Sequence, residues 1–100
     1  MIYSTESSFE KDIKAKKVTL VDFFATWCAP CRMLGDELAQ IDNGEFGICK
    51  VDIDKAEALA IKYEVDAVPT LYIFVNGTPV ERLQGFMPAS ELKLAIEKYL

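Results

Sequence analysis

The chain has 100 residues, 51% of them hydrophobic and 27% charged, with a formal net charge of −5. This length predicts a single domain over residues 1–100 with a modest core, and no apolar run approaches the roughly 18 residues of a membrane span. An acidic chain without a basic patch is poorly suited to nucleic acid, whose binding draws on phosphate neutralisation by Lys and Arg. There is no histidine, so the commonest metal ligand and the commonest base near neutral pH are both missing. Three cysteines are too few for a disulfide scaffold. They also fall short of the four Cys or His ligands of a structural zinc site, so no metal is expected. The first ten residues lack a basic region followed by an apolar one, which reads as no signal peptide and a cytoplasmic, reducing compartment.

Residues 1–4 can form a short edge strand. Ser7-Ser8-Phe9-Glu10 fits a capping box that opens a helix to about Lys16. Residues 18–25 are apolar on both faces, as in a central strand covered by helices. A helix from about Pro30 carries Leu34, Leu38 and Ile41 on one stripe and stops at Asp42-Asn43-Gly44. Residues 47–53 read as a strand. Residues 55–63 read as a helix with Ala56, Leu59, Ala60 and Tyr63 on one face. Residues 70–75 and 80–84 form a hairpin about the Asn76-Gly77 turn. The last helix runs from about Pro88 to Tyr99, with Leu92, Ala95, Ile96 and Tyr99 inward and a Met87–Leu92 staple at its start. The order predicts an α/β fold: a central mixed sheet of four to five strands with helices on both faces. The alternating strands run parallel through right-handed crossovers, and the terminal hairpin adds an antiparallel pair.

Trp27-Cys28-Ala29-Pro30-Cys31 sits where the central strand turns into a helix. Two cysteines three apart can close a small disulfide ring, and the helix N-terminus stabilises the first sulfur as a thiolate. Cys28, ahead of the helix, is expected to be the more exposed and to attack a client disulfide; Cys31, in the first turn, resolves the mixed disulfide. The bland alternative is a pair of packed small side chains. Pro30 suits the first helical turn. Neither Ala29 nor Pro30 can donate a side-chain hydrogen bond or charge to the sulfur. The disulfide is thereby relatively favoured and the pair is expected to be a reductant.

Asp22 lies among Leu20, Val21, Phe23 and Phe24. It is either a strand-end carboxylate or a buried acid/base whose pKa burial raises, and the second reading is preferred. Lys50 is either a surface lysine or the partner of Asp22 on the next strand; periodicity does not decide. The Val68–Pro69 bond is expected to be trans on base rates. Trp27, on the turn, is expected to be partly exposed. Cys49 shares a strand face with Val51 and Ile53 and reads as core, the alternative being a regulatory or dimerising thiol.

The ordered set Val21-Asp22-Phe23-Phe24-Ala25-Thr26-Trp27-Cys28-Ala29-Pro30-Cys31, Lys50-Val51-Asp52-Ile53-Asp54, Lys62-Tyr63-Glu64-Val65-Asp66-Ala67-Val68-Pro69-Thr70-Leu71, Asn76-Gly77 and Gly85 resembles the thioredoxin family nearly end to end. The resemblance implies the thioredoxin fold and a monomeric protein-disulfide reductase without a bound cofactor. It implies Cys28 as nucleophile, Cys31 as resolving thiol, Asp22 as buried acid/base and Lys50 close to Asp22. It makes Pro69 a cis-proline facing the disulfide, against the base-rate expectation. Trp27, Ala29, Pro30, Ala67, Val68, Gly85 and Phe86 become the client surface, with Val68 binding client backbone as a strand does. Thioredoxin reductase is implied as electron donor, with clients of the ribonucleotide reductase, peroxiredoxin and methionine sulfoxide reductase types. The chain departs from the common pattern in three places: Ala29 stands where Gly is usual, Gly35-Asp36 replaces a kinking proline, and the stretch between Cys31 and Lys50 is a few residues shorter.

Overall fold

The computed structural model describes residues 1–100. In chain order the elements are β1 (Ile2–Tyr3), α1 (Phe9–Asp12), β2 (Val18–Phe24), α2 (Ala29–Ile41), β3 (Gly47–Asp52), α3 (Glu57–Lys62), β4 (Thr70–Val75), β5 (Thr78–Gln84) and α4 (Ala89–Glu97). The five strands form one sheet in the order β1-β3-β2-β4-β5. The β1, β3 and β2 strands are parallel, and β4 and β5 are antiparallel additions. The β4–β5 turn places Asn76 and Gly77 both at positive φ, as a two-residue hairpin turn requires.

Side-chain alternation along β2 and β3 divides the core into two layers. On one face Val18, Leu20 and Ile48 pack against Leu34 and Leu38 of α2 and Leu92 and Ile96 of α4. On the other, Val21, Phe23, Cys49 and Val51 pack against Phe9 and Ile13 at α1 and Leu59 of α3. Asp22 and Lys50 fall in register with the first layer, beneath α2. Met87 packs against that layer with Leu92, in keeping with the staple.

Local chemistry sets several boundaries differently from expectation. The capping box forms two residues earlier than Ser7–Glu10, between Thr5 and Ser8. The Ser8 amide donates to Thr5 Oγ1 and the Thr5 amide to Ser8 Oγ, so a serine supplies the reciprocal acceptor. α1 then ends at Asp12 rather than Lys16. β5 begins at Thr78, two residues earlier than expected, because an edge strand tolerates Pro79. The Val68–Pro69 bond is cis, which overturns the base-rate expectation and agrees with the resemblance.

Candidate dithiol–disulfide active site

Cys28 is the N-cap of α2. Its sulfur takes the place that a Ser or Asp oxygen usually fills, accepting a hydrogen bond from the Cys31 amide at 3.1 Å. The two cysteines form a disulfide with Cα atoms 5.2 Å apart. Cys28 is the more accessible, 6% exposed against 1% for Cys31. When the pair is reduced, the same amide and the positive end of a 13-residue helix face the Cys28 sulfur and favour its thiolate. The Arg32 guanidinium donates to the Thr26 carbonyl at 3.0 Å and fixes the turn that leads into the motif.

The sulfur faces a second loop. The Val68 carbonyl oxygen lies 3.8 Å from Cys28 Sγ. The Gly85 amide donates to the Pro69 carbonyl at 2.9 Å, which joins the Gly85-Phe86 segment to the cis-proline loop. Thr70 Oγ1 donates to the Ala67 carbonyl at 2.6 Å and anchors the loop's start. Trp27, Ala29, Pro30, Ala67 and Phe86 are exposed, Val68 and Gly85 are half-buried, and Pro69 is buried. Trp27 is 68% exposed, yet its indole N–H donates to Asp54 Oδ2 at 3.0 Å, so the ring is held. Nothing in the sequence assigns Asp54 or Arg32 a role at the site. Their contacts are made by side chains reaching across turns, and no periodic pattern marks them.

Below the disulfide, Asp22 is fully buried on β2 and neither of its carboxylate oxygens has a hydrogen-bond partner. Lys50, its register partner on β3, brings Nζ to 3.7 Å from Asp22 Oδ2. Burial pushes the Asp22 carboxyl up to about 6, and the Lys50 charge opposes that rise without cancelling it. A carboxyl poised there can take up or release a proton near neutral pH. Lys50 is thus no surface lysine. Its ammonium lies 4.8 Å from the Phe24 ring centroid and 5.8 Å from that of Tyr3. Cys49, one residue before it, points into the opposite layer and is 1% exposed, so it stands apart from the disulfide.

A CxxC disulfide at a helix N-terminus, opposite a cis-proline loop and above a buried carboxyl, defines a dithiol–disulfide exchange protein. A family model described as Thioredoxin matches residues 1–98. Thioredoxin from Staphylococcus saprophyticus is 43% identical over 99 residues, spanning 96% of this chain and 94% of that one. Thioredoxin from Staphylococcus aureus is 40% identical over the same shares. Among solved structures, a mutant thioredoxin from Halobacterium salinarum superposes with a TM-score of 0.93 at 34% identity, over 98% of this chain and 88% of that one. Thioredoxin from Malassezia sympodialis gives 0.84 at 32% identity over the same shares. The chain belongs to the thioredoxin family and is a thiol–disulfide oxidoreductase that acts as a protein-disulfide reductase. No helix is long and apolar enough to cross a membrane.

Proposed function

We propose that Cys28 is the attacking thiolate of this reductase, Cys31 the resolving thiol and Asp22 the proton acceptor for Cys31, with Lys50 setting the charge beside Asp22. The hydrogen bond from the Cys31 amide to the Cys28 sulfur carries the assignment, because it favours the thiolate on the more accessible sulfur. The Cys28 thiolate displaces one sulfur of a client disulfide as a thiolate and leaves a mixed disulfide. Cys31 then loses its proton to the Asp22 carboxylate and attacks the Cys28 sulfur. The second client thiolate leaves, the client holds two electrons more, and Cys28–Cys31 is oxidised. Trp27, Ala29, Pro30, Val68, Gly85 and Phe86 form the apolar seat for the client. Ala67, Val68 and Pro69 offer it a backbone edge for strand-like pairing.

A thioredoxin reductase returns the electrons. Suitable clients are enzymes whose cycle ends in a disulfide, of the ribonucleotide reductase, peroxiredoxin and methionine sulfoxide reductase types, met by a monomer in a reducing, cytoplasmic setting. Replacing Cys31 with Ser tests the roles. The variant should accumulate covalent adducts with disulfide clients, and Cys28→Ser should form none. Adducts formed through the sulfur of Cys31 in a Cys28→Ser protein would reverse the assignment.

A further inference from the structure

α2 has a glycine in its interior, a position where helices favour alanine. Gly35 lies four residues after Cys31, on the same face and one turn below it. A Cβ built on Gly35 would stand 3.1 Å from Nζ of Lys50, so a methyl group there obliges the ammonium to yield. The ammonium is confined on its other sides by Asp22 at 3.7 Å and by the Phe24 ring at 4.8 Å. A groove of about 400 Å³ beside Tyr3, Phe24 and Lys55, which Lys50 also lines, offers it room. An ammonium pushed into that groove regains water and leaves Asp22.

We propose that Gly35 is a positioning residue: its missing side chain admits the Lys50 ammonium beneath the Cys31 turn and sets its distance from Asp22. The consequence for catalysis rests on the reading of Asp22 as the proton acceptor of Cys31. Lys50 is the charged group that faces Asp22. The packed elements otherwise present Leu71 from β4, Leu34 and Leu38 from α2 and Leu92 from α4, with Cys31 as the further titratable group once reduced. Around Lys50 itself, Tyr3, Asp52 and Lys55 line the groove. A helix-breaking residue kept where alanine would strengthen the helix is the local conflict expected where a site needs space.

The test is the titration of the Asp22 carboxyl carbon by NMR in the oxidised protein, where Cys31 does not titrate. Gly35→Ala should raise the midpoint by about half a pH unit, the effect of moving the ammonium outward by a few tenths of an ångström or more. The melting temperature should stay the same or rise, since alanine favours the helix. Gly35→Ser, which adds the same Cβ, should repeat the shift. In a Lys50→Met background, Gly35→Ala should move the midpoint by nothing measurable. A midpoint that stays, falls, or rises equally without Lys50 overturns the proposal. The pH profile of client reduction separates the two readings. If the midpoint rises and the profile follows, both hold. If the midpoint rises and the profile stays, Gly35 still positions Lys50 and Asp22 is not the proton acceptor.

Discussion

Asp22 and Lys50 face each other across β2 and β3 in register, their charged groups 3.7 Å apart in a layer sealed by α2 and α4. The pair is lopsided. Asp22 is buried without a hydrogen bond, while Lys50 keeps an outlet to a groove. Removing a carboxylate from water costs more than a single ammonium at this distance returns, so the carboxyl is held up at about 6.

That imbalance has a sign. Between its ordinary value near 4 and about 6, Asp22 is protonated in the fold and ionised in the unfolded chain. The fold binds the extra proton there, so stability falls as pH rises through this window. The cost reaches about 3 kcal/mol above it. Asp22→Asn should therefore be more stable than the parent by up to about 3 kcal/mol at pH 7.5, and the gain should vanish near pH 4. Urea unfolding at the two pH values measures this. The same variant should reduce a client disulfide at least about 10-fold more slowly at pH 7, because in the proposed mechanism the Cys31 proton loses its acceptor. Equal stability at both pH values would mean that Asp22 is solvated.

Trp27 is the chain's single tryptophan and is tied to Asp54 at 3.0 Å while mostly exposed. A flat ring held at the rim of the disulfide costs a docking client less ordering than a free one. Asp54→Ala should raise the KM for a protein disulfide about 5-fold, the worth of one hydrogen bond, and leave kcat within about 2-fold. Trp27 fluorescence anisotropy should fall in the same variant. A change confined to kcat would place Asp54 in the chemistry instead.

How much of this was readable from residues alone depends on whether the cause is local. The apolar stripe of α2, the Asn76-Gly77 turn and the buried β2 run announce themselves, because helix period, turn stereochemistry and two-sided burial are each written within a few residues. The sequence leaves Lys50 open because its partner depends on strand register, which unites residues 28 positions apart. The cis bond at Pro69 is set by the loop packed around it, so a base rate misleads there. The cap at Thr5–Ser8 is hard to place from sequence because the Ser8 hydroxyl stands where a Glu is expected. In the sequence Gly35 is only part of the Gly35-Asp36 pair that replaces a kinking proline; its steric meaning needs Lys50 in place.

The chemistry of the residues between the cysteines predicts the direction of the reaction. Ala29 and Pro30 are exposed at the start of α2 and give the Cys28 sulfur no charge or side-chain donor. The thiolate is stabilised by the helix terminus alone, and the pair should have a reduction potential below about −200 mV. Pro30→His adds a cation beside the sulfur that favours the reduced form. Equilibration in dithiothreitol buffers, read by mass after alkylation, should show a rise of about 30 mV or more, the equivalent of about 1.4 kcal/mol. A parent value near about −120 mV would contradict the reductase direction.

Cys49 tests the separation of the two core layers. Its thiol is 1% exposed, on the face of β3 turned away from α2, and burial pushes its pKa up. A thiol both buried and protonated is a poor nucleophile. The reduced, folded protein should therefore consume two thiols within seconds of adding an aromatic disulfide reagent, Cys28 by attack and Cys31 by resolving the mixed disulfide beside it, and a third only when denaturant unfolds it. Cys49→Ala should cost about 1 kcal/mol of stability, from the small void left beside Val51, and leave the potential of the Cys28–Cys31 pair unchanged. If Cys49 reacted at the rate of global unfolding, the layer around it would open only with the whole fold. If it reacted much faster, β1 would be the strand that frays, because it is two residues long and covers Cys49 along the sheet edge.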